Sequence, residues 1–190
     1  MQVRYQNYIV NALRLVSATC FIALLTFIAM NQVTPVSMAQ ETKQQQVKVE
    51  YDATKDQTLI SLNPFVLASR KFEELRLGAI TGYPGKVKTK PKEVVLIFLS
   101  LSSSDSNKYE TARKLTVTAD GQKFLVGEAS HGKQSQNNLF IETMTASMQM
   151  EDFLRVCKAK QVTMKLGLTE VELTPEHIAT LRLAASYMVE

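Results

Sequence analysis

Two histidines, a serine cluster, a glycine-flanked turn and a row of alternating lysines are the residues of this chain whose types could do chemistry. Neither His131 nor His177 has the i, i+4 spacing or the Cys/Asp neighbours that a zinc site needs. His131 reads as a residue near a strand end, and His177 as one in the first turn of a helix. Ser102 to Ser106 supplies hydroxyls, but an activated serine needs an adjacent base, and the chain has no G-x-S-x-G elbow. The cluster reads as a solvated loop. Gly82-Tyr83-Pro84-Gly85-Lys86 has the residue types of a phosphate loop, yet no helix follows to converge its amides, so it reads as a turn. Met144, Met148, Met150 and Met164 are soft ligands with no histidine near them in sequence, which makes them core residues. The sequence therefore designates no catalytic residue, no cofactor and no metal site.

Lys86, Lys88, Lys90 and Lys92 form the one concentrated charge feature. Alternation in an extended segment places all four on one face. That face suits anionic lipid headgroups, a cell-envelope polymer or an acidic protein partner. The same lysines and Pro91 also border the apolar run Val94 to Leu101, where they act as gatekeepers against aggregation.

The N-terminus says where such chemistry would take place. Arg4 and Arg14 precede an unbroken, largely apolar block from Leu15 to Met30, and a polar stretch through Asn31, Gln32 and Pro35 leads to Ser37-Met38-Ala39 before Gln40. Basic, apolar, polar and then small residues at −3 and −1 is the order of a secretory signal peptide, assigned to residues 1–39. The expected location is exported, in the periplasm or outside the cell. The alternative is an uncleaved anchor, although the block is shorter than the ~20 residues a membrane span prefers. Cys20 lies inside the block, where it is an apolar filler rather than a lipidated residue.

Removing 1–39 takes away two cations and no acids, so 20 basic and 18 acidic residues remain. A nearly neutral exported chain without clustered aromatics is a poor nucleic-acid binder. Cys157 is then the sole cysteine, which excludes an internal disulfide.

Residues 40–46 form a Gln-rich flexible leader, and 47–190 form a single β-rich domain. Val47, Val49 and Tyr51 alternate with polar residues, as do Thr58, Ile60 and Leu62, with a hairpin connection at Asp52 to Asp56. Asn63-Pro64 is expected to break the pattern. Lys71 to Tyr83 fits both periods, and Gly78 and Gly82 favour a strand. Val94 to Leu101 is apolar on both faces, hence central in a sheet. Asp120-Gly121 between two β-type runs is a hairpin turn. The second of these runs is expected to continue to Gly132, followed by a polar turn from Lys133 to Asn138 and a return strand from Leu139. Met150 to Ala159 is helical, with Glu151 and Asp152 in its first turn. Two short strands flank Gly167. Thr174-Pro175-Glu176 then starts a helix whose stripe is Ile178, Leu181, Ala184, Ala185 and Met188.

The stretch from Phe153 to Gly167, with Glu170-Val171-Glu172-Leu173 and the final helix, resembles a group of uncharacterised exported bacterial domains. There a short "FLRIANA"-like helix leads to a "V-x-x-x-x-G-x-x-E-F-x-L" strand pair and a final "x-L-x-x-L-R" helix. The resemblance covers about the last 80 residues of the sequence, and Val171 stands where the group has an aromatic. It implies an antiparallel β-sandwich-like body with a packed C-terminal helix, and it implies no activity.

The leading expectation for function is a non-enzymatic interaction or structural module of the cell envelope. A carrier of a small apolar ligand or lipid would instead enclose an apolar cavity. A hydrolase would bring His131 to both a serine and a carboxylate.

Overall fold

Among the described residues, alternation becomes ten strands, and the two 3.6-residue stripes near the end become helices. The computed structural model describes residues 46–104, 108–136 and 138–189. The expected signal peptide 1–39, and the leader apart from Gln46, lie outside the described residues.

Strands β1 (Val47–Asp52), β2 (Gln57–Arg70), β3 (Glu73–Pro84), β4 (Glu93–Ser102), β7 (Ser130–Gln136) and β8 (Leu139–Gln149) form one antiparallel sheet, in the order β1-β2-β3-β4-β8-β7. Strands β5 (Lys114–Ala119), β6 (Gln122–Glu128), β9 (Val162–Leu166) and β10 (Thr169–Glu172) form a second, in the order β10-β9-β5-β6. Helix α1 (Met150–Lys158) follows β8, and α2 (Pro175–Val189) ends the described chain. Side chains of both sheets and both helices enter one buried cluster, with Phe98, Leu115, Met144, Phe153 and Leu181 among its most enclosed members. The doubly apolar β4 is interior to its sheet, as its composition requires.

Turn chemistry fixes the tight connections. Asp120 and Gly121 both have positive φ, 46° and 81°, which is the type I′ geometry of a two-residue hairpin. The Asp120 carboxylate then accepts the N–H groups of Lys160 and Gln161, tying this hairpin to the entry of β9. Gly167 has φ 58° and Leu168 follows in the same two-residue turn, the type II′ arrangement. At the start of α2 the Thr174 hydroxyl accepts the His177 N–H, while the Thr174 N–H donates to His177 Nδ1. This is a reciprocal capping box with histidine in the usual Glu/Gln place.

Three local expectations are corrected. Asn63-Pro64 does not end its strand: β2 runs on to Arg70 through a bulge between Leu62 and Phe65. The Asn63 N–H donates to the Gln46 carbonyl and so continues the pairing with β1, Pro64 has no N–H to lose, and Gly78 opposite leaves room for Pro64 and the Leu62 carbonyl. The run after Asp120-Gly121 does not continue to Gly132. It stops at Glu128; Ala129 turns inward, donating to the Arg113 carbonyl, and β7 begins in the other sheet. Residues expected as a polar turn, Lys133 to Gln136, belong to that strand, because an edge strand needs main-chain pairing with β8 and not an apolar face. Along β1, Val47 is buried while Val49 and Tyr51 on the same face are exposed. β1 is an edge strand, and the second layer does not reach them.

Candidate binding surface

The four lysines lie in the connection between β3 and β4, which is loop rather than strand, and all four are exposed. Tyr83 and Gly85 anchor one end: Tyr83 is buried, and the Gly85 carbonyl accepts the Thr58 hydroxyl at 2.7 Å. Pro91 is buried at the other end, and the Lys92 carbonyl accepts the N–H of Met150, the first residue of α1, at 2.8 Å. Between these anchors Lys86 Nζ sits 4.7 Å from the centre of the Tyr51 ring, a cation–π distance. Lys90 Nζ is 3.8 Å from Glu151 in the first turn of α1. Val87 is 79% exposed, and the Lys88 and Lys92 side chains have no hydrogen bond or ion pair among the described residues.

His131 lies on β7 directly opposite Met144 on β8, so both side chains share the inner face with Glu142. Its Nε2 is 3.0 Å from Glu142 Oε1, and the Glu142 carboxylate, 2% exposed as a residue, also accepts the Tyr109 N–H at 3.2 Å. Tyr109 is buried, its hydroxyl 2.9 Å from Thr169 Oγ1, and burial raises its phenol pKa. A buried carboxylate needs such partners, and here they tie the β4–β5 connection to β7 and β8. Among the described residues His131 meets this carboxylate and no serine. Ser102 and Ser104 bond each other at the end of β4; Asp105, Ser106 and Asn107 of the serine cluster lie outside the described residues. The inner position of Glu142 follows from the same period of two that buries Met144, Ala146 and Met148. Alternation in the sequence could have found it.

The methionines Met144, Met148, Met150 and Met164 are all in the core. Cys157 is buried against α2, where desolvation pushes its thiol up to about 12, so it is protonated at neutral pH and unreactive. No group of three His, Cys, Asp or Glu able to hold a metal ion occurs among the described residues. No helix among them is long and apolar enough to cross a membrane.

One charged groove of about 260 Å³ opens between the two sheets. All four residues of β10 form one wall, and Arg70, Glu73 and Leu75 of β2 and β3 form the other, with Lys108 beside them. Lys108 Nζ holds both oxygens of Glu73 at 3.0 and 3.2 Å, and the Ser100 hydroxyl lies 3.4 Å from the first of these. Arg70 and Glu172 have no partner among the described residues, and Glu170 has only Lys165 at 3.8 Å. None of these residues carries a motif. They converge from four separate segments, which sequence reading does not bring together.

No family model, curated protein or solved structure matches this chain.

Proposed function

We propose that this chain is an exported, non-enzymatic interaction module of the bacterial cell envelope, with a β-sandwich-like body and the C-terminal helix packed on it. Its contact face is the loop carrying Lys86, Lys88, Lys90 and Lys92, directed at an anionic lipid surface or an acidic envelope protein. The observation that carries the reading is the loop itself: fixed at both ends, yet holding Lys88, Lys92 and Val87 out in solvent, the two lysines without a charged partner among the described residues. An exposed apolar residue among lysines is suited to a surface that is charged outside and apolar beneath. The signal-like order of residues 1–39 supports export. The carrier alternative lacks comparable support, because the groove beside β10 is open and charged.

Replacing Lys86, Lys88, Lys90 and Lys92 together by Gln tests this face. Each lysine near an anionic surface contributes about 1 kcal/mol. The variant should therefore bind anionic phospholipid vesicles, or its envelope partner, on the order of 1,000-fold more weakly. Unchanged association retires the lysine face. Native mass spectrometry of the protein purified from its envelope tests the class, since a stoichiometric lipid held in the fold would replace the module by the carrier.

A further inference from the structure

The outer side of β10 ends its sheet, and the groove runs along it. Leu166 and Thr169 close a two-residue hairpin, so they form a hydrogen-bonded pair, as do Met164 with Val171 and Val162 with Leu173; the Leu173 N–H donates to the Val162 carbonyl at 2.8 Å. The main-chain groups of Glu170 and Glu172 must then point the other way, into the groove. No strand among the described residues pairs with them. Two N–H groups and two carbonyls, spaced as on a strand edge, are thus offered to whatever occupies the groove.

Side chains add a second requirement. Thr169 is buried and Val171 half-buried against the core, while Glu170 and Glu172 are exposed on the opposite face of the strand. A segment paired to β10 places its alternate side chains opposite these two carboxylates, where cations are favoured. The residue between them turns toward Val171, Ala68 and Leu75, which favours a small apolar side chain. Arg70, on the facing wall and without a partner among the described residues, suits a carboxylate.

We infer that β10 is a strand-addition site for an extended peptide with basic residues at alternate positions, an apolar residue between them and a free carboxyl terminus. This rests on the interaction-module reading but not on the lysine loop. The main chain supplies affinity, and Glu170, Glu172 and Arg70 supply the charge selection. The groove is too small for a folded partner and suits a short stretch of chain.

The test uses the peptide Lys-Val-Lys-Val-Lys with a free carboxyl terminus, and Glu-Val-Glu-Val-Glu as its control, added to the ¹⁵N-labelled protein. Saturating basic peptide should slow exchange of the Glu170 and Glu172 amides at least about ten-fold, and the acidic peptide should not. Glu172→Pro removes one outward N–H and no bond to β9, and it should abolish that protection. Should this variant fail to fold, the Glu170→Lys/Glu172→Lys double variant keeps both amides and should lose the basic peptide through repulsion alone. Peptide binding that leaves both amides unprotected overturns the proposal, because the carboxylates then merely guard an edge; so does no binding at all. Unprotected amides in a protein that still brings a partner out of the envelope overturn it, while the module reading stands. Protected amides in a protein that brings no partner out of the envelope and binds no anionic vesicles support the site and sink the module reading instead.

Discussion

Gly167 and Gly121 both occupy left-handed backbone, yet they differ in what surrounds them. A Cβ on Gly121 would meet nothing within 4 Å, so Gly121→Ala carries only the conformational penalty, about 1–2 kcal/mol. A Cβ on Gly167 would lie 1.8 Å from the Ala112 carbonyl oxygen, which is backbone and cannot swing aside. That approach is tight because the Gly167 N–H donates to the Lys114 carbonyl at 2.9 Å. Gly167→Ala should therefore cost about 3–5 kcal/mol, at the exceptional end for one substitution. Denaturant titration of the two variants checks the difference, and equal losses would mean that the Ala112 contact yields easily. The glycines were legible in the sequence as turn residues. The Ala112 contact was not, because it joins the β4–β5 connection to a hairpin more than fifty residues later.

Single elements here are held at their ends. Arg182 of α2 donates from Nε to the Cys157 carbonyl at 2.6 Å and from Nη2 to the Ala159 carbonyl at 2.8 Å, so it satisfies the C-terminal end of α1. Arg182→Met keeps the stem and removes both bonds, and should cost about 1–2 kcal/mol in a denaturant melt; a neutral result would mean that water replaces the guanidinium. Two carboxylates at element ends contribute to the acid response. The Thr54 hydroxyl, then the Thr54 N–H, holds Asp52 below its ordinary pKa in the β1–β2 turn. The Thr174 hydroxyl, then its own backbone N–H, does the same for Glu176 at the start of α2. Both pKa values are depressed on folding, so their stabilisation is complete above the ordinary carboxylate range. It is lost as pH falls through the lowered values. The Asp52→Asn/Glu176→Gln variant should melt at a temperature that falls less steeply than wild type between about pH 4 and pH 2. Parallel slopes would show that other carboxylates dominate.

At the scale of the whole molecule, both sheets and both helices share one buried cluster. Loss of either sheet exposes the inner side chains of the other, so the two sheets and their helices should unfold in one step. Far-UV circular dichroism, which reports strands, and near-UV tyrosine signals should give coincident transitions. Two separated transitions would show that the sheets unfold independently. Along the chain, the sequence by itself determined most strands, both helices, the Asp120-Gly121 turn and the Thr174-Pro175 start, because period and turn chemistry are properties of neighbouring residues. Only the tertiary structure decided which strands share a sheet. The switch at Ala129, the exposure of Val49 and Tyr51, the Glu142–His131 pair and the groove beside β10 all depend on how distant strands close against one another. Alternation states which way a side chain points, and it carries no information about whether another layer lies there to cover it.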